Sequence, residues 1–149
     1  MGMGNGFLLD TNVLSELMRT HPSTQVLAWF SQNTRALMFT SAITQAEILT
    51  GIALLPESKR RSALAEACEA MFEQDFAGRC LPFDHFAAKQ QALVVATRTR
   101  LGRPITTEDS QIAAIALACG LTVVTRNVKD FENIDSLLCT NPWQDTAPH

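Results

Sequence analysis

The chain has 149 residues, 46% of them apolar and 18% charged, with a formal net charge of −3. That size and composition suit one ordinary packed domain, 1–149, which needs no staple to hold its core, and they argue against disorder. The charge excludes a strongly basic nucleic-acid binder that works by bulk attraction, but not a local basic patch.

Met1 to Gly6 are glycine-rich and expected to fray. Gly6-Phe7-Leu8-Leu9 reads as a short buried strand broken by Asp10, and Thr11 to Arg19 has helical spacing, with Val13, Leu14 and Leu17 on one side. After His21-Pro22, Ser23 to Ser31 reads as a second helix, and Ala36 to Thr40 as a second strand. Ser41 is placed to cap a helix running to about Leu54. Pro56 is expected to start a long helix through about Phe76, closed by Gly78. Cys80 to Phe83 suits a third strand, and Asp84 caps a helix from His85 to Arg100 that Gly102 and Pro104 end. Thr107 or Glu108 opens another helix, stopped by Gly120 after Cys119. Leu121 to Thr125 is the clearest strand, and a further buried one is expected around Asp135 to Leu138. The tail after Trp143 is expected to be flexible. Short apolar strands alternating with helices predict an α/β fold, a mainly parallel sheet flanked by helices.

Several classes drop out. The longest apolar run, Ile112 to Cys119, is far short of the about 20 residues of a membrane span. The N-terminus lacks the pattern of a secretory signal. The four cysteines, Cys68, Cys80, Cys119 and Cys139, have no zinc-site spacing and are expected to be reduced, mostly core thiols, so a cytoplasmic location is expected. His21, His85 and His149 form no nucleophile–base pattern, and neither GxGxxG, GxxxxGK[ST] nor GxSxG occurs.

Parallel sheets place ligands at the carboxyl ends of their strands. Asp10 follows the first strand directly, Glu47 lies early in the helix after the second, Asp109 opens the helix before the Leu121–Thr125 strand, and Asp130 follows that strand. Each acid also has a plain structural role open to it: Asp10 as a helix cap, Asp109 as a complement to the helix dipole, Glu47 on an exposed helix edge, Asp130 in a turn. Their shared edge favours a joint role. Converging carboxylates repel one another and call for a proton or a cation. A few carboxylates plus waters suit Mg²⁺ or Mn²⁺, which can activate water against a phosphate. Thr11, Asn12, Thr44, Thr107, Thr125 and Asn127 are the polar neighbours that could support such a site.

The segments LLDTNVLSEL, SAITQAEILTGI, RPITTEDSQIAAIALACGLTVVTRNVKDF and NPW together resemble PIN-domain proteins of the VapC toxin type, close to the FitB-like branch, over about Phe7 to Trp143. The resemblance implies a PIN-like fold and a Mg²⁺- or Mn²⁺-dependent ribonuclease, the toxin of a toxin–antitoxin pair. It implies that Asp10 and Asp109 are metal ligands, that Glu47 and Asp130 complete the site, and that Thr11, Asn12 and Asn127 match the motif. It further implies hydrolysis of RNA with water as nucleophile, a homodimer, and a VapB-type antitoxin whose C-terminal part lies across the site. The chain alone is not expected to bind an operator, and no membrane partner is expected. Arg126 and Lys129, beside Asp130, are the expected RNA contacts; Lys59, Arg60 and Arg61, and Arg98, Arg100 and Arg103, are basic clusters that also suit solvated faces. The alternative is a non-catalytic RNA-binding or antitoxin-sequestering module on the same fold, which would not need all four acids.

Overall fold

The computed structural model describes residues 6–144. Five parallel strands form one sheet: β1 (Gly6–Leu9), β2 (Leu37–Ser41), β3 (Cys80–Leu81), β4 (Thr122–Val124) and β5 (Cys139–Thr140), in the spatial order β3-β2-β1-β4-β5. Six helices connect them: α1 (Thr11–Leu17), α2 (Thr24–Gln32), α3 (Ala42–Ala53), α4 (Lys59–Ala70), α5 (His85–Arg100) and α6 (Thr107–Cys119). The parallel α/β expectation therefore holds.

Alternation along the central strands divides the core in two. Leu8 and Val123 join one apolar cluster with Ala87 and Val94 of α5 and Ile112 to Ala116 of α6. Their neighbours Leu9 and Val124 join another with Val13 and Leu14 of α1, Trp29 of α2, Ile48 of α3 and Cys68 of α4. Successive side chains of a strand point to opposite faces, so a sheet covered on both sides needs such unbroken apolar runs.

Local chemistry sets most boundaries. Asp10, Ser23, Ser41, Ser58, Asp84 and Thr106 each accept a backbone N–H at the start of α1 to α6 respectively. Gly120 ends α6 in the left-handed conformation at φ 68°, a cost that glycine largely avoids.

Four expectations are corrected. Gly6 belongs to β1, paired with Leu37, so the expected frayed end can include only Met1 to Asn5, outside the described residues. The chain after Gln144 also lies outside them. The long helix starts at Lys59 rather than Pro56, because the Ser58 hydroxyl supplies the cap; its far end passes into a π-helical turn, Met71–Asp75. The last strand is Cys139–Thr140, not Asp135–Leu138: Asn133 and Ser136 take positive φ, so that stretch turns, and Leu138 is exposed. α6 opens at Thr107, as expected, with Thr106 as its cap. Of the cysteines, all free, Cys68 is buried but Cys119 is exposed.

Candidate metal-dependent active site

Asp10 begins the site. Its backbone N–H continues the sheet by donating to the Val124 carbonyl at 3.0 Å. One carboxylate oxygen, Oδ1, accepts the Thr11 N–H at 2.6 Å and caps α1; the other, Oδ2, accepts the Thr125 hydroxyl at 2.7 Å. The Thr125 Oγ also accepts the Asn127 N–H at 3.0 Å, so its proton is directed at Asp10. Asp10 is 5% exposed and Thr125 fully buried. Cap and site residue are thus one side chain, not rival readings.

Glu47, from α3, accepts the Thr11 hydroxyl at 2.5 Å, and the buried Thr44 hydroxyl stands 3.2 Å from that same Thr11 oxygen. Glu47 itself is exposed, in keeping with the helix-edge position open to it in the sequence. Asp109 is half-buried in the first turn of α6, with its N–H held by the Thr106 hydroxyl at 3.1 Å. Asp10, Glu47 and Asp109 line one open cleft of about 540 Å³ with Thr11, Asn12 and Asn127.

Asp130 lies outside the lining of that cleft, on a 3₁₀ turn (Val128–Phe131), with its side chain exposed. It remains near enough for its charge to act on Asp10 and Asp109. Thr107 does not line the cleft.

The acids act on one another by charge repulsion, without direct contact. Burial pushes the Asp10 carboxyl above its ordinary range, opposed by the Thr125 and Thr11 hydrogen bonds and reinforced by Glu47 and Asp130. Burial, then the charge of Asp10, raise Asp109 to about 6, with Asp130 and Glu47 adding to the push. Among the described residues, the ion pair that forms is Arg19 with Glu16 at 3.4 Å, so no basic side chain neutralises the acids. This unpaired negative charge fits a divalent cation. The same residues do not close into a ready cage of three or more acidic, Cys or His ligands.

Of the expected RNA contacts, Arg126 lines the cleft and Lys129 does not, though Lys129 is exposed on the neighbouring turn. Arg98 is removed from the basic surface altogether. It is 5% exposed, and its guanidinium donates to the carbonyls of Arg103 at 2.6 Å, Asp130 at 2.9 Å and Glu132 at 3.1 Å. It ties the Asp130 turn to α5, a task that spacing in the sequence cannot reveal.

Four cleft residues escaped the sequence reading of the site: Ser15, Glu16, Arg19 and Trp143. Glu16 is buried at its wall, accepting the Ser23 N–H at 2.7 Å, with Arg19 beside it. Trp143, three residues beyond β5, forms another wall. A signal existed for Glu16: an acid on the buried side of α1, two turns from Asp10.

Residues 7–137 match the PIN domain family. The chain belongs to that family. It is 39% identical to VapC ribonuclease Y4jK of Sinorhizobium fredii over 92% of this chain and 97% of the relative. It is 40% identical to toxin FitB of Neisseria gonorrhoeae over 93% and 99%. A solved structure of FitAB bound to an IR36 DNA fragment superposes with a TM-score of 0.85 at 37% identity, covering 96% of this PIN domain and 99% of that chain. Among the described residues no helix is long and apolar enough to cross a membrane.

Proposed function

We propose that this PIN domain is the toxin of a type II toxin–antitoxin system and an endoribonuclease that works with Mg²⁺ or Mn²⁺. The observation that carries the proposal is the set of acids at the carboxyl edge of the sheet, with Asp10 buried and, among the described residues, none of them paired with a basic side chain. Names of relatives as a VapC ribonuclease and a FitB toxin point the same way.

Asp10 and Asp109 are the residues to hold the cation, with Glu47 and Asp130 adding negative charge at its margin. Such a cation supplies Lewis acidity toward a phosphate and lowers the pKa of water. Asp10 is kept in one rotamer by the Thr11 and Thr125 hydrogen bonds, so its oxygens are aimed before any ligand arrives. Glu47, held by Thr11 and open to solvent, is positioned to take a proton from an attacking water. A VapB-type antitoxin and a homodimeric toxin are the partners proposed. A groove of about 820 Å³ lined from α1, α3 and α4 reaches Thr11 and Glu47 and gives an antitoxin segment room beside the site.

The test is RNA cleavage in Mg²⁺ and growth arrest on induction, for the wild type and Asp10→Asn. The expected result is loss of both in a folded variant. Undiminished cleavage or toxicity in that variant would overturn the proposal.

A further inference from the structure

Arg126 and Trp143 meet at the rim of the acidic cleft, far apart in sequence. Arg126 leaves the sheet just after β4 and Trp143 soon after β5. These are parallel neighbours in the register Val123 with Cys139 and Val124 with Thr140, so their exits lie side by side. The Arg126 guanidinium carbon sits 4.8 Å from the Trp143 ring centroid. The backbone beneath is braced. The Arg126 N–H donates to Asn12 Oδ1 at 3.2 Å, its carbonyl accepts Asn141 Nδ2 at 3.2 Å, and Asn141 Oδ1 accepts the Trp143 N–H at 2.9 Å.

What Arg126 does not do is as informative. It shares the cleft with Asp10, Glu47 and Asp109, yet makes no ion pair with any of them among the described residues. A long flexible cation beside several carboxylates is drawn onto them unless something else holds it. Here the indole face holds it by a cation–π contact. The acids are left free for a metal, and the planar fork of the guanidinium is left free for a phosphate.

We infer that Arg126 is the phosphate-binding group for single-stranded RNA next to the acidic centre, and that Trp143 is the positioning residue that holds it off the carboxylates. The inference rests on the nuclease reading above and adds a residue to it. Loss of the stack lets Arg126 fall toward the acids, which removes it from the RNA.

The test is steady-state cleavage of a short single-stranded RNA in Mg²⁺, with the wild type, Arg126→Ala, Arg126→Lys, Trp143→Ala, Trp143→Phe and the Arg126→Ala/Trp143→Ala pair. Arg126→Ala and Trp143→Ala are each expected to raise KM about tenfold, the equivalent of one charged contact, with kcat retained in Arg126→Ala and a higher Mg²⁺ requirement in Trp143→Ala, where Arg126 competes for the acids. The pair is expected to be no worse than either single variant, because both remove the same interaction. Trp143→Phe keeps an aromatic face and is expected to restore most of the affinity. Arg126→Lys, at an exposed position that does not threaten folding, keeps the charge but loses the stacked fork, and is expected to resemble Arg126→Ala.

Unchanged KM in Arg126→Ala or Arg126→Lys overturns the inference. So do effects of Arg126→Ala and Trp143→Ala that multiply in the pair, or a Trp143→Ala variant that loses melting temperature and kcat with KM intact, the mark of a packing role alone. A wild type that cleaves no RNA brings down the nuclease reading, and this inference with it. A wild type that cleaves, and is inactivated by Asp10→Asn, leaves that reading standing whatever Arg126 does.

Discussion

Asp109 shows how the carboxylates act on one another. Its pKa in the folded, metal-free protein is about 6, against 3.8 for an unperturbed carboxyl. The folded state therefore holds the proton more tightly than the unfolded chain, and this group's contribution to stability falls as pH rises from 3.8 through about 6. Asp10, also raised, acts in the same direction. In EDTA at pH 7, Asp109→Asn is expected to melt at a higher temperature than the wild type, with the gap closing toward pH 4. Excess Mg²⁺ should reverse the order, because the cation needs the ionised carboxyl. Thermal melts over that pH range check both; a variant no more stable than the wild type at pH 7 in EDTA would count against the argument. Asp10 and Asp109 were legible in the sequence because a strand end and a helix start place them. Glu47 was legible as sharing their edge of the sheet, while its exposure was one of two open readings, since three apolar neighbours say nothing of which face of α3 it occupies. Arg98 was not legible at all: its partners are backbone carbonyls, which leave no trace in side-chain identity.

Elements were readable wherever a local signal fixes a boundary. Gly120 was predicted as the stop of α6, and it adopts φ 68° there. An added Cβ would meet nothing within 4 Å, so Gly120→Ala should cost about 1 kcal/mol, from backbone strain alone. Urea denaturation measures it, and a neutral result would show that the left-handed cap is dispensable. β5 was misplaced because its two residues pair by register with β4, a long-range fact, while the apolar Leu137-Leu138 mimics a strand. The π-helical turn after α4 was likewise beyond reach, since Met71 to Phe76 reads as ordinary helix. The turn bearing Asp130 depends on α5 through Arg98. Arg98→Met leaves three carbonyls short of a charged donor and should destabilise by about 3 kcal/mol. The same variant should also weaken activity by releasing that turn. Chemical denaturation beside a cleavage assay tests this, and full activity at reduced stability would separate the turn from the chemistry.

The molecule as a whole carries −3, and four of its acids are assigned to one edge; without them the remainder is +1. A negative protein can therefore present a nearly neutral surface to a polyanion while its excess acid sits in the site. If a metal is bound there at 100 times its dissociation constant, linkage adds about 2.7 kcal/mol to stability. That should raise the melting temperature by about 5 °C or more in a domain of this size. Asp10→Asn should abolish the rise, and a rise that survives the substitution would place the cation elsewhere. The Thr125–Asp10 hydrogen bond spans 115 positions. The carboxylate after the first strand is thus oriented by a residue close to the other end of the chain, on a strand that must insert beside β1 before the site exists. During synthesis on the ribosome, a chain that has emerged only as far as α5 holds neither Asp109 nor Thr125. Such a chain, or one truncated there, has no assembled site. The carboxylate edge forms late and all at once, when β4 docks beside β1 and brings Thr125 to Asp10.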